Sequence, residues 1–334
     1  MKALVTGGGG FIGAALLKQL LKKGYETASF SRGNYPELTQ LGIEMVRGDL
    51  TNPEAVTRAC AARDIVFHVA AKAGVWGAYQ EYYRTNVQGT QNVVNACLAR
   101  GVKYLIFTSS ASVVFDGKNI EGANETLPYP ARPMSPYTAT KALAEQYVLN
   151  ANSPALKTLS LRPHLVWGPG DNHIIPGVIE RARSGKLRRI GEGRNLIDTI
   201  YIDNCVSAHL CAADAIQQNP EAAGKSFFIT NGEPLPVWDF INDILKSASI
   251  APVENSVSFK TALMAATILE LFYKTFAIKK EPRLTRFLVH ELCTSHWFDI
   301  SAASTQLGYV PKISIHKGFK QLASWFCEHK LRKI

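Results

Sequence analysis

Thr6-Gly7-Gly8-Gly9-Gly10-Phe11-Ile12-Gly13 follows a short apolar run, Lys2–Val5, and leads into an amphipathic stretch, Gly13–Lys23. A strand that breaks into glycines and then opens a helix has a physical rationale. The turn must be tight, a ligand's phosphates must approach the backbone, and the helix must pack closely on the strand. Gly7, Gly10 and Gly13 satisfy one such spacing, and Gly8, Gly10 and Gly13 satisfy another. The helix N-terminus then turns N–H groups and a partial positive charge toward the phosphates. The stretch reads as a dinucleotide cradle, with Gly7, Gly10, Phe11, Ile12 and Gly13 as cofactor contacts.

Outward from this turn, short β-branched runs alternate with helical patterns. Strands are expected at Thr27–Ser31, Glu44–Arg47, Asp64–Val69, Tyr104–Thr108 and Thr158–Leu161, and helices at Glu54–Ala61, Thr85–Arg100 and Pro136–Asn150. Such alternation argues for an α/β fold, a Rossmann-type doubly wound parallel sheet covered on both faces. Beyond Gly168-Pro-Gly-Asp171 the punctuation by Pro and Gly thickens. The expected division is a dinucleotide-binding domain over 1–170 and a smaller C-terminal substrate-binding lobe built from 171–197 and 219–334. Residues 198–218 are expected to return to the first domain through a strand at Thr199–Ile202 and a helix at Asn204–Gln217.

Of the 334 residues 46% are hydrophobic and 19% charged, which excludes a disordered chain. The net charge of +10 suits anionic ligands, but no nucleic-acid motif accompanies it, and no nucleic-acid partner is expected. Cys60, Cys97, Cys205, Cys211, Cys293 and Cys327 show neither CxxC pairing nor zinc-ligand spacing, so reduced thiols and no metal are expected. No apolar run reaches the ~18 residues of a membrane span. The N-terminus carries no signal-peptide profile, and the expected location is the cytoplasm.

An NAD site places an acidic residue after the second strand, about 20 residues beyond the glycines. Here Ser29-Phe30-Ser31-Arg32-Gly33 has instead a guanidinium and hydroxyls suited to a 2′-phosphate. NADP(H) is therefore expected over NAD(H), with Ser31 and Arg32 in contact. Asp49 and Leu50 follow the third strand, where the carboxylate either accepts from the adenine amino group or serves a turn. Ala70 and Ala71 let a cofactor lie close, while His68 reads as a core histidine.

Tyr137-Thr-Ala-Thr-Lys141 opens the expected Pro136–Asn150 helix, and positions i and i+4 share a face. A free phenol, with a pKa of about 10, is a poor acid or base at neutral pH, and a neighbouring ammonium lowers that value. Tyr137 would then exchange a proton with a carbonyl oxygen as hydride moves. The hydroxyls of Thr108-Ser109-Ser110-Ala111-Ser112 would hold that oxygen.

Together these segments resemble the short-chain dehydrogenase/reductase superfamily in its extended branch, over essentially the whole chain. The marks are Thr6–Gly13, Gly48-Asp49-Leu50, His68–Ala71, Asn86-Val-Gln-Gly89-Thr90, Ser109–Val113, Tyr137–Lys141, Leu161-Arg-Pro163 and Trp167-Gly168-Pro169-Gly170. The resemblance implies that Tyr137 is the acid/base and that Lys141 anchors the nicotinamide ribose and tunes the tyrosine. It makes Ser110 the carbonyl-binding serine ahead of Ser109 and Ser112, and it puts Pro163 and Val166 on the nicotinamide pocket. Asn86 reads as structural, and Phe115 stands where the branch commonly has tyrosine. The branch also implies a homodimer through the helices at Thr85–Arg100 and Pro136–Asn150.

Arg162-Pro-His-Leu-Val-Trp-Gly-Pro-Gly-Asp171 looks most like the 3β-hydroxysteroid dehydrogenase group, and the Ser31–Pro36 turn like its relatives in bacterial olefin biosynthesis. The activity implied is NADPH-dependent, reversible reduction of the 3-keto group of a long-chain 2-alkyl-3-oxoalkanoic acid. A 3β-hydroxysteroid-type or other hydroxy-lipid dehydrogenase is the alternative, a nucleotide-sugar epimerase or dehydratase the third reading, and an NADP-sensing module the non-enzymatic one. The expected partner is thus a lipid-like small molecule. Arg188, Arg189 and Arg194 are candidates for its carboxylate, with solvated surface charge as the competing reading. In Lys260–Phe276, Leu263, Met264, Thr267, Ile268, Leu271, Phe272, Thr275 and Phe276 recur at helical spacing, with Glu270 and Lys274 on the other side. Such a helix packs on the small lobe, covers a greasy substrate, or touches a membrane surface with help from Lys279, Lys280, Arg283 and Arg286. Docking onto a pathway enzyme is a further reading of this half of the chain.

Overall fold

Seven strands form the central sheet of the computed structural model, which describes residues 1–331. They are β1 Lys2–Thr6, β2 Glu26–Ser31, β3 Glu44–Arg47, β4 Ile65–His68, β5 Tyr104–Thr108, β6 Lys157–Pro163 and β7 Ser226–Ile229. All neighbours are parallel, in the order β7-β6-β5-β4-β1-β2-β3. This is the doubly wound, Rossmann-type sheet. The winding reverses between β1 and β4, and a ligand crevice opens at such a reversal, at the carboxyl ends of the strands.

The sequence builds this sheet by burying both faces. Ala3 and Val5 of β1, Ile65 and Phe67 of β4 and Ile106 of β5 join one apolar core with Leu16, Leu17 and Leu20 of the helix Phe11–Lys22. The alternate residues Leu4, Val66, Leu105 and Phe107 join the opposite core with Val93, Val94, Ala144 and Val148. Side chains along a strand point to opposite faces, so a continuous apolar run needs helices on both sides. The helix Pro136–Asn150 starts where the chain dictates. Ser135 Oγ accepts from Thr138 N at 3.2 Å, Thr138 Oγ1 accepts in return from Ser135 N, and Pro136 fills the first turn. The expected helix Thr85–Arg100 is α-helical over Gly89–Arg100 and enters through a π-helical turn, Tyr83–Gln88.

Two segments depart from the sequence reading. The expected strand Thr199–Ile202 is reduced to Ile200–Tyr201 and pairs with Val166–Trp167, outside the central sheet. The backbone leaves the ladder at Leu165, at φ 45°, and the outer edge of β6 is already taken by β7, from Ser226 opposite Ser160 to Ile229 opposite Pro163. The central sheet thus draws a strand from the range 219–334 that the sequence reading gives to the smaller lobe; residues 332–334 of that range lie outside the described residues. The helix Ile202–Gln218 does return, packing on Phe11–Lys22, β5 and β6.

The second departure concerns one of the readings of the helix Phe259–Thr275, packing of its apolar side on the small lobe, because burial inverts the hydrophobic pattern. Ala262, Ala266 and Glu270 face the protein, while Met264, Ile268, Leu271, Phe272 and Phe276 face solvent. Glu270 causes the inversion. Its carboxylate accepts from Arg286 N at 2.7 Å and from Arg286 Nε at 2.9 Å, serving the exposed N–H end of the next helix, Arg286–Cys293. Among the described residues no helix is long and apolar enough to cross a membrane.

Candidate active site

A cleft of about 420 Å³ opens at the carboxyl ends of β1, β2, β4, β5 and β6, and the expected cofactor contacts line it together with Ser110, Tyr137 and Lys141. At its glycine-rich end Gly7 sits at φ +72°, and a Cβ there would lie 2.9 Å from Ala70 Cα; a Cβ at Gly13 would strike the Gly7 carbonyl. Only glycine keeps this turn open. No side chain caps the helix Phe11–Lys22 behind Gly10, so its first N–H groups face the cleft as an anion cradle. Gly8 lies off the cleft against Ser29 and Leu17, so the lining triplet is Gly7, Gly10 and Gly13. Tyr35, which sequence reasoning passed over, covers the turn, since a Cβ at Gly9 would overlap its ring. These features fit the pyrophosphate of a dinucleotide.

Beside the glycine turn Ser31 and Arg32 leave β2, and the Arg32 side chain is 81% exposed, with Nη1 4.0 Å from Asp49 Oδ2. Asp49 Oδ1 accepts from Thr51 N at 2.9 Å and Thr51 Oγ1 at 2.8 Å, which makes it a turn aspartate. The Thr51 N–H is the main cause that holds its carboxyl below the usual range, with Arg32 adding to it. Ala70 and Ala71 floor the cleft between the two ends, and Pro163 and Val166 line its far end.

There, Ser110 caps a 3-10 turn, Ala111–Val114, and its hydroxyl lies 2.8 Å from Ser112 Oγ. Burial raises the Tyr137 phenol above its ordinary value, Ser110 draws it down, and Glu291 pushes it up. Lys141, expected from the sequence to lower the phenol, is not among these causes. Lys141 Nζ donates to Thr108 O at 2.6 Å and lies 3.9 Å over the Phe107 ring, drawn toward the sheet. Burial brings the Lys141 ammonium down to about 7, with Glu145 opposing.

Glu145 continues the same helical face, four residues beyond Lys141, a signal present in the sequence and not used. It is fully buried and receives Arg162 Nη2 at 2.6 Å, Tyr129 Oη at 2.6 Å and Ser160 Oγ at 2.8 Å. Burial pushes its carboxyl up, but Arg162, joined by Ser109 and Tyr129, holds it below the usual range. Arg162 directly precedes Pro163, so this ion pair sits beneath both walls of the site.

A second buried network was not visible in the sequence. His296 Nε2 donates to Glu291 O at 2.8 Å, since a carbonyl only accepts, which leaves Nδ1 as an acceptor 3.2 Å from His164 Nε2. His164 Nδ1 meets Asp198 Oδ1 at 2.7 Å, and Asp198 Oδ2 accepts from Phe298 N at 2.9 Å. His164, directly after Pro163, thus links His296 to Asp198. Burial raises the Glu291 carboxyl to about 7, with His164 pulling it back.

The remaining candidates separate by position. Asn86 Oδ1 accepts from Lys72 N at 2.7 Å and Nδ2 donates to Lys72 O and Thr140 Oγ1, tying the β4 loop to the Pro136–Asn150 helix. His68 is buried between Thr6 and Thr90. Phe115 packs on Phe287 and His296. Arg188, Arg189 and Arg194 do not line the cleft, and Arg188 is spent on the Gly185 and Leu187 carbonyls.

A glycine cradle at the reversal of a doubly wound sheet, facing a tyrosine, a lysine and a serine, defines an NAD(P)-dependent oxidoreductase acting on CH–OH groups. The chain belongs to the 3-beta hydroxysteroid dehydrogenase/isomerase family, whose sequence profile matches residues 4–260. It is 46% identical over 324 residues to a 2-alkyl-3-oxoalkanoate reductase of Stenotrophomonas maltophilia, covering 96% of this chain and 98% of that protein. It is 34% identical over 337 residues to the mouse sterol-4-alpha-carboxylate 3-dehydrogenase, decarboxylating, covering 99% and 92%. The crystal structure of UDP-glucuronic acid 4-epimerase from Bacillus cereus in complex with NAD matches with a TM-score of 0.75 at 25% identity, over 98% of this chain and 99% of that one.

Proposed function

We propose that this protein reduces the 3-keto group of a long-chain 2-alkyl-3-oxoalkanoic acid to the 3-hydroxy acid with NADPH, reversibly. The observation that carries the reading is the 46% identity to a 2-alkyl-3-oxoalkanoate reductase along nearly the full length of both chains. Gly7, Gly10 and Gly13 would hold the pyrophosphate, Ser31 and Arg32 the 2′-phosphate, and Pro163 and Val166 the nicotinamide. When bound, the reduced cofactor supplies hydride to the carbonyl carbon. Ser110 donates a hydrogen bond to the carbonyl oxygen, and Tyr137 delivers its proton as negative charge develops there. A phenol whose pKa burial has raised is held as the protonated donor that reduction requires. Lys141 places its ammonium one helical turn below, to grip the ribose.

The test follows nicotinamide absorbance with a long-chain 2-alkyl-3-hydroxy acid, a 3β-hydroxysteroid and a UDP-sugar side by side. Turnover of the first alone is expected. Turnover of the steroid alone would move the protein to the hydroxysteroid reading, which the mouse relative favours by its alignment along 99% of the chain. In the same assay Arg32→Asp is expected to raise the KM for NADPH about 10- to 100-fold, the worth of one charge-assisted hydrogen bond. Unchanged cofactor kinetics would refute the assignment of Arg32. The proposed homodimer rests on Leu98 and Leu143, 46% and 42% exposed on helices Gly89–Arg100 and Pro136–Asn150. A monomer in sedimentation velocity would refute it.

A further inference from the structure

Met264, Ile268, Leu271, Phe272 and Phe276 form one stripe along the helix Phe259–Thr275 and just past its end, each between 49% and 66% exposed. Steps of four, three, one and four residues keep them on a single face. Of the twelve large apolar side chains exposed among the described residues, five lie here, so this is a patch and not random scatter. The patch is also built. Ala262 and Ala266 bring the helix close to the protein, and the Glu270–Arg286 pair pins the opposite face inward. Rotating the apolar stripe into the core would expose Ala and break that pair.

The surroundings of the stripe are cationic. Lys260 and Lys274 on the helix, and Lys279, Lys280 and Arg283 in the segment that follows it, are all exposed. The only acids within residues 259–286 are Glu270, buried against Arg286, and Glu281, whose Oε2 lies 3.4 Å from Val75 N. Protein–protein interfaces are depleted in lysine. An apolar stripe edged by lysines instead matches a bilayer whose acyl region takes the stripe and whose anionic headgroups take the ammonium groups.

We propose that the helix Phe259–Thr275 docks this protein on the surface of an anionic lipid bilayer, lying in the interfacial plane without crossing it. The docked face is joined to the catalytic cleft. Trp76 Nε1 donates to Ile278 O at 3.2 Å, and the Tyr273 ring meets Trp76 edge-on at 6.1 Å. Trp76 is three residues beyond Ala73, which lines the cleft. Docking therefore sets the β4 loop at the membrane, and a long-tailed substrate passes from the bilayer to the site along it. That route rests on the substrate reading above; the docking does not.

The test is co-sedimentation of the full chain with phosphatidylcholine vesicles, with and without phosphatidylglycerol, at low and at physiological salt. No substrate is present, so the result is independent of the enzymatic reading. Binding to the phosphatidylglycerol vesicles is expected, weaker without the anionic lipid and weaker with salt. The double variant Ile268→Glu/Leu271→Glu is expected to lower binding by at least about tenfold, since two apolar side chains no longer enter the bilayer. Its melting temperature and its turnover of a water-soluble short-chain substrate should match the parent. Lys279→Glu/Lys280→Glu should weaken binding to anionic vesicles selectively. A parent protein that stays in the supernatant, equal binding to both lipid compositions, or a double variant that binds like the parent would each overturn the proposal. So would a dimer in sedimentation velocity that the double variant dissociates while vesicles go unbound, which would assign the face to a second copy of this chain.

Discussion

Tyr137→Phe is expected to lower turnover by about 10²- to 10⁴-fold, the usual worth of a positioned general acid. Dinucleotide binding, followed by fluorescence titration, should change little. Phenylalanine keeps the ring and its packing, so only the proton and the contact with the Ser110 hydroxyl are lost. The melting temperature should therefore also hold. Surviving turnover would remove Tyr137 from the chemistry. A parent protein that binds dinucleotide but turns over none of the three substrate classes would favour the sensing-module reading instead.

Glu145→Gln should act chiefly on stability, at a cost of about 3–5 kcal/mol, because it leaves the Arg162 guanidinium buried without its counter-charge. Arg162 is only 3% exposed, and its Nη1 already lacks a protein partner. Chemical unfolding measures the effect. Replacing both members with methionine should recover most of the loss, since an apolar pair carries no desolvation penalty. The same variant reaches the catalytic face. Glu145 is the group that holds the Lys141 pKa up against burial, so its loss leaves less ammonium at neutral pH and raises the KM for the dinucleotide. A variant that unfolds at the parent's denaturant concentration would show that the pair supports neither the fold nor the site.

What was legible in the sequence is what local spacing controls. The turn Thr6–Gly13 declares itself because a positive φ and a close approach exclude every side chain at Gly7 and Gly13. Tyr137 and Lys141 declare themselves because one helical turn separates them, and Glu145 obeys the same rule. The chain His296–His164–Asp198 obeys no local rule. Its members are 132 and 34 residues apart, and they meet only because Ile197 pairs with His296 in a second, four-stranded sheet. The edge strand β7 was missed for a related reason. Thr199–Ile202 and Ser226–Ile229 are equally apolar, and only the turn at Leu165 decides which reaches β6. In the helix Phe259–Thr275 the pattern shows which face is apolar but not which is buried, and Glu270 settled the second question through a partner sixteen residues away.

The exposed helix face has a consequence for the purified protein away from any membrane. A net charge of +10 keeps copies apart in dilute buffer. That repulsion reaches about 10 Å at 0.1 M salt and about 3 Å at 1 M. Apolar attraction does not fade in the same way, and sulfate strengthens it. Added salt, the habitual remedy for a sticky basic protein, here removes the repulsion and keeps the adhesion. The colloidal behaviour of the chain follows from five side chains on one helix, and its average composition conceals it.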